Sequence, residues 1–144
     1  MSTGPTEAKT GNRLVLIVLG ALITISPFSI DMYLPAFSKI AADFGTTTAK
    51  VSLSLASYFV GMAIGQIVYG PLLDRYGRKR PLYYGLFIYI LSSIGCAFPD
   101  SVEVLIALRF VQALGASVAW VSSMAMVRDF WPVEESAKIF SLLI

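Results

Sequence analysis

Gly70-Pro71-Leu72-Leu73-Asp74-Arg75-Tyr76-Gly77-Arg78-Lys79-Arg80-Pro81 is a short charged stretch between two long apolar runs. It reads as a turn. Gly77 supplies a positive φ, and Pro81 starts the next helix. Arg78, Lys79 and Arg80 face anionic headgroups if the flanking runs lie in a bilayer. Asp74 needs a separate reason. It closes the preceding helix, where the dipole is negative and a carboxylate is disfavoured by a few tenths to ~1 kcal/mol. It needs positive partners, and Arg75, Arg78 or another helix N-terminus can supply them.

The flanking runs are 51–73 and 82–97. Two more lie outside them, 14–37 and 102–127. Each is too long and too continuously apolar for a strand. The first is ~36 Å as a helix, enough to cross a ~30 Å hydrocarbon core. In lipid only helices and closed barrels satisfy their backbone groups, and no alternating pattern is present. The expected fold is therefore all-α integral membrane, with four transmembrane helices. A signal peptide is disfavoured for 14–37, because the run exceeds a usual h-region and three more follow. Residues 1–13 read as a disordered tail. Residues 128–144 read as a link and the start of a fifth helix, with Pro132 opening it and Glu134 and Glu135 in its first turn.

Composition agrees. The 144 residues are 56% hydrophobic and 14% charged, with a mean hydropathy of +0.73. A soluble domain carries about 25% charged residues. There is no His, which removes a Ser-His-Asp triad and His metal ligands. The single cysteine, Cys96, closes no disulfide within the chain and builds no Cys-based metal site. No nucleophile–base pair appears, so an enzyme is not expected. A net charge of +2 does not indicate nucleic acid.

Charge distribution sets orientation. With the N-terminus inside, the inner segments hold Lys9, Arg13, Arg75, Arg78, Lys79, Arg80, Arg128 and Lys138. The outer segments hold only Lys39 and Lys50. The positive-inside rule then places the N-terminus in the cytoplasm.

Two charges fall within spans, and intramembrane ionisable residues are functional-site candidates. Asp31 sits among Pro27 and Pro35 in the first helix, ~9 Å from its outer end, and Arg109 sits ~10 Å into the fourth. At matched depth the two can face one another if their helices are neighbours around a cavity, and such a pair would offset much of the desolvation cost of each. Gln112 shares the face of Arg109. Gly61-Met62-Ala63-Ile64-Gly65 is a GxxxG, and Ala116, Ala119 and Ser123 line one side of the fourth helix; both read as packing. Tyr58, Gln66, Trp120 and Met124 are candidates to line a binding surface for an aromatic ligand.

The loop resembles the signature of the major facilitator superfamily, G-x-L-x-D-R-x-G-R-[KR], at Gly70, Leu72, Asp74, Arg75, Gly77, Arg78 and Lys79. The resemblance implies that Asp74 docks near a helix of the second half and helps lock one conformation. It also implies that Arg78 bridges to Asp129 at the inner end of the fourth helix. The string IDMYLPAFSKIAADFG is similar to the first helix of drug:proton antiporters, especially the bicyclomycin-resistance (Bcr/CflA) group, which assigns Asp31 a part in proton and drug coupling. Leu105, Arg109 and Gln112 resemble the fourth-helix motif L-x-x-x-R-x-x-Q-G, although Ala113 stands where the family has glycine; there the arginine is linked to proton transfer. Val127-Arg128-Asp129-Phe130 also resembles the Bcr/CflA group.

The resemblance implies proton-coupled efflux of drugs or other small amphipathic molecules, with the proton gradient as energy source and no cofactor. The implied setting is a bacterial inner membrane. The chain would be the N-terminal third of a twelve-span protein, with the lipid bilayer, a small-molecule substrate and the C-terminal half as its partners. By itself it is not expected to transport. Proton-coupled uptake of a sugar or metabolite, or a small four-helix membrane protein that serves a partner, are the alternatives.

Overall fold

A computed structural model describes residues 5–143. Among them the chain is helical throughout, with no strand. Helix α1 spans Pro5–Asp31, a 3-10 turn spans Leu34–Ala36, and α2 spans Phe37–Asp43. Then come α3 (Thr48–Tyr76), α4 (Lys79–Gly95), α5 (Val102–Phe130) and α6 (Val133–Leu143).

The boundaries have local causes. Pro5 occupies the first position of α1, where its missing N–H costs nothing. The helix therefore begins nine residues before Leu14, and residues 5–13, expected as a disordered tail, are helical. Residues 1–4 of that expected tail, and Ile144, lie outside the described residues. The expected single span 14–37 is broken after Asp31. Pro35 cannot donate to the carbonyl of Asp31, and its ring clashes there, so α1 ends four residues before it. Thr47 caps α3 and Ser101 caps α5, each accepting from a backbone N–H three residues on. Gly77 ends α3 at φ 79°, the conformation expected of it. Helix α6 starts directly after Pro132, with Glu134 and Glu135 in its first turn.

Helix α5 is the centre, packed most closely against α3 and α4 and crossed by α1. Half of its apolar window is buried, against 17% for the first span. Close approach is bought with glycine. A Cβ on Gly61 of α3 would lie 2.6 Å from the Phe110 carbonyl oxygen, and one on Gly115 of α5 would lie 2.6 Å from the Gly85 oxygen and the Tyr89 nitrogen of α4. Ala116, Ala119 and Ser123 are fully buried, as their packing role requires. Three clusters fill the bundle: Tyr33, Val51 and Leu105 at one end, Tyr58, Ala113 and Ala116 in the middle, and Leu19, Val127 and Trp131 at the other.

Among the described residues, three stretches are long and apolar enough to cross a membrane: Leu14–Asp43, Thr48–Tyr76 and Val102–Phe130. The expected third span, 82–97, is α4. Its 17 residues give about 26 Å, short of the hydrocarbon core, so the expected count of four spans is not met by length alone.

Candidate functional site

The charged loop is built around one arginine. Arg78 Nε donates to Asp129 Oδ2 at 3.0 Å, and its Nη1 donates to Asp74 Oδ1 at 3.1 Å. It thus ties the end of α3 to the end of α5 and supplies the partner that Asp74 needs. The two carboxylates, Asp129 first, hold the Arg78 guanidinium above its already high ordinary pKa. Gly70, Leu73, Asp74, Arg78, Met124 and Asp129 line a cavity of about 390 Å³, and Gln66 and Trp120 form its inner end. Arg128 lines this cavity too; of the other loop cations, Arg75 stacks over the Tyr76 ring and Lys79 is exposed.

Inside the bundle, Arg109 is 8% exposed and meets α1 rather than a carboxylate. Its guanidinium lies 3.6 Å from the centre of the Tyr33 ring. Its Nη1 donates to the Ser29 carbonyl at 3.3 Å and to Gln112 Oε1 at 3.1 Å. Gln112 in turn donates to Ser93 Oγ on α4 at 2.7 Å. Ser29 Oγ already donates to the Ile25 carbonyl, so the 2.6 Å contact with Tyr89 has the phenol as donor. By the same logic Tyr33 donates to Ser54. Arg109 Nε has no partner. These groups edge a cavity of about 650 Å³ between α1 and α4.

The expected facing of Asp31 and Arg109 is corrected. Asp31 is exposed, and no ion pair joins the two. Their depth matches, but their azimuth does not. Ser29 and Tyr33 face Arg109, and at 3.6 residues per turn Asp31, two positions from each, points about 160° away. Asp31 instead lines a different cavity of about 590 Å³ with Ser26, Phe59, Met62, Gln66 and Trp120. Gln66 and Trp120 line the loop cavity as well, so they stand between the two, with Met124 on the loop side. Tyr58 belongs to the core, 1% exposed, and donates a long 3.5 Å bond to Ser26.

The reading from sequence missed Ser29, Tyr33, Tyr89 and Ser93. Each is a hydroxyl within an apolar run, and the one signal was spacing: Ser29 and Tyr33, like Tyr89 and Ser93, stand four residues apart, on one face of a helix.

Long apolar helices with small-residue contacts and buried polar groups held by one another define an integral, polytopic helical membrane protein. Residues 19–144 match the Major Facilitator Superfamily. The chain belongs to that family. It is 44% identical over 133 residues to the "Uncharacterized MFS-type transporter YdgK" of Bacillus subtilis (strain 168), covering 92% of this chain and 33% of that one. It is 40% identical over 129 residues to the chloramphenicol resistance protein of Pseudomonas aeruginosa, covering 85% and 31%. It is 35% identical over 128 residues to a bicyclomycin resistance protein homolog of Haemophilus influenzae, covering 89% and 32%. The chain therefore spans about a third of the length of these curated relatives.

Proposed function

We propose that this chain forms the N-terminal part of a proton-coupled transporter that exports drugs or other small amphipathic molecules. The observation that carries the reading is the carboxylate of Asp31 on a membrane helix, opening onto a cavity walled by Phe59, Met62, Gln66 and Trp120. Aromatic and thioether walls suit varied apolar bodies, and one carboxylate selects for a proton or a cationic group. The two compete: a proton on Asp31 removes the charge that holds a cation. Each charge moved through the field couples about 2.3 kcal/mol per 100 mV. The names of the chloramphenicol and bicyclomycin resistance relatives support drugs as the substrate class.

Arg109 acts through α1. It grips Ser29 in α1 and Tyr33 two residues past its end, on either side of Asp31, so the charge state of Asp31 and the tilt of α1 act on one segment. Gln66 of α3 and Trp120 of α5 line both this cavity and the one at the loop, so a substrate moving toward the loop would pass between them. At the loop, Asp74 and Arg78 would meet a helix of the second half of the transporter. The distribution of Lys and Arg supports a cytoplasmic N-terminus in a bacterial inner membrane. In this reading α4 also crosses, as a short span that local thinning of the bilayer accommodates, and α6 begins a fifth. No cofactor takes part; the proton gradient supplies the energy.

The test is drug-induced dissipation of a pH gradient in everted vesicles that carry the full-length protein. Asp31→Asn should fold, hold cationic drugs more weakly and fail to dissipate the gradient. Wild-type coupling in that variant sinks the assignment of Asp31.

A further inference from the structure

On the outer surface of the bundle, α3 and α4 leave a groove at their loop ends. Tyr69, Leu72 and Tyr76 form one wall, and Arg80, Pro81 and Tyr84 form the other, enclosing about 390 Å³. None of these residues lines the loop cavity around Asp74, or the cavity that holds Asp31. Tyr76, Tyr83, Tyr84 and Phe87 are more than half exposed, so this face carries an aromatic band just inside the charged loop. Such bands sit at the level of lipid headgroups, where an apolar ring body and a polar hydroxyl are both accommodated.

The local charge is unbalanced. Arg78 holds two carboxylates, but among the described residues Lys79 and Arg80 hold none. Both lie in the first turn of α4, which contains no acid, at the helix end where the dipole is already positive. Arg80 is the one of the two that lines the groove. A soluble anion would satisfy the charge but leave Leu72, Pro81 and the ring faces bare. At this depth a phospholipid presents a phosphate and a hydrocarbon chain together.

We propose that this groove binds an anionic phospholipid, with Arg80 holding the phosphate and Tyr69, Tyr76 and Tyr84 closing around the glycerol and the upper acyl chain. Tyrosine hydroxyls donate to phosphate and ester oxygens, and the guanidinium offers paired donors to two phosphate oxygens. The site depends neither on the transported substrate nor on which leaflet meets this end of the bundle. It therefore stands or falls apart from the role of Asp31.

Native mass spectrometry of the full-length protein in detergent, titrated with phosphatidylglycerol or phosphatidylcholine, tests it. One phosphatidylglycerol should be retained in preference to phosphatidylcholine. Arg80→Gln should weaken that retention about tenfold, the worth of one charge-assisted hydrogen bond. Lys79→Gln removes an equal charge outside the groove and should leave retention within about twofold. Tyr84→Ala, at an exposed position, should also weaken retention while the helical circular dichroism is unchanged. Equal losses in the Arg80 and Lys79 variants would mean diffuse attraction and overturn the proposal. So would equal retention of phosphatidylcholine, or displacement of the lipid by equimolar inorganic phosphate.

Discussion

The guanidinium of Arg109 rests 3.6 Å from the centre of the Tyr33 ring, with no carboxylate opposite it. A buried cation is here balanced by dipoles: a ring face, the Ser29 carbonyl and the Gln112 amide oxygen. Stacking and directed donation both need the planar guanidinium, so lysine is a poor substitute. Tyr33→Leu should destabilise the bundle by about 1–3 kcal/mol, from the lost cation–π contact and the lost bond to Ser54. Tyr33→Phe keeps the ring and should lose only about 1 kcal/mol. Thermal melts in detergent check the order; a Tyr33→Leu melt equal to wild type would show that the stack holds nothing.

Arg78 joins two helix ends, and its charge does not vary in any working pH range. Its folded pKa is raised, so its contribution is fully present below the unfolded value and is lost only above it, in strong alkali. Both pairs are partly exposed, so each should be worth a few tenths to about 1 kcal/mol. A double-mutant cycle on Arg78→Gln and Asp129→Asn should return a coupling within that range. Zero coupling would mean that the bridge between α3 and α5 contributes nothing to stability.

The loop was legible because its residues act through local chemistry. Gly77 takes the positive φ that its position requires, and Arg78 reaches the carboxylate four residues back. The shared height of Arg109 and the segment around Asp31 was legible too, since rise per residue is fixed. Azimuth was not. Whether Asp31 or Ser29 faces α5 depends on how α1 crosses it, and only packing decides that. Pro35 stood inside the expected span 14–37, and its consequence, a helix ending at Asp31, follows from which carbonyl it strikes. Tyr58 and Trp120 are both aromatic residues on apolar helices. Only the packed bundle tells that one is in the core and the other lines a cavity.

Gly115 and Gly85 let α4 and α5 touch backbone to backbone. A methyl on Gly115 meets backbone atoms of α4 that cannot turn aside. Gly115→Ala should therefore cost about 1–3 kcal/mol, the usual range for overpacking. A shift in melting temperature below that of a surface control such as Ser52→Ala would show that the helices separate freely.

Gly70 presents the opposite case. It has no positive φ, and a Cβ built on it meets nothing within 4 Å, yet it lines the cavity beside Asp74 and Arg78. Within this bundle a side chain there is free of clash, and alanine raises helix propensity by about 1 kcal/mol over glycine. Gly70→Ala should then leave the melting temperature of the unit that α1–α6 form unchanged or slightly higher. If a helix of the second half closes on this surface, Gly70→Leu should block that closure and abolish transport by the full-length protein, although the unit still folds. Unimpaired transport by a folded Gly70→Leu variant would mean that nothing packs against α3 here, and that the loop cavity is not the docking surface.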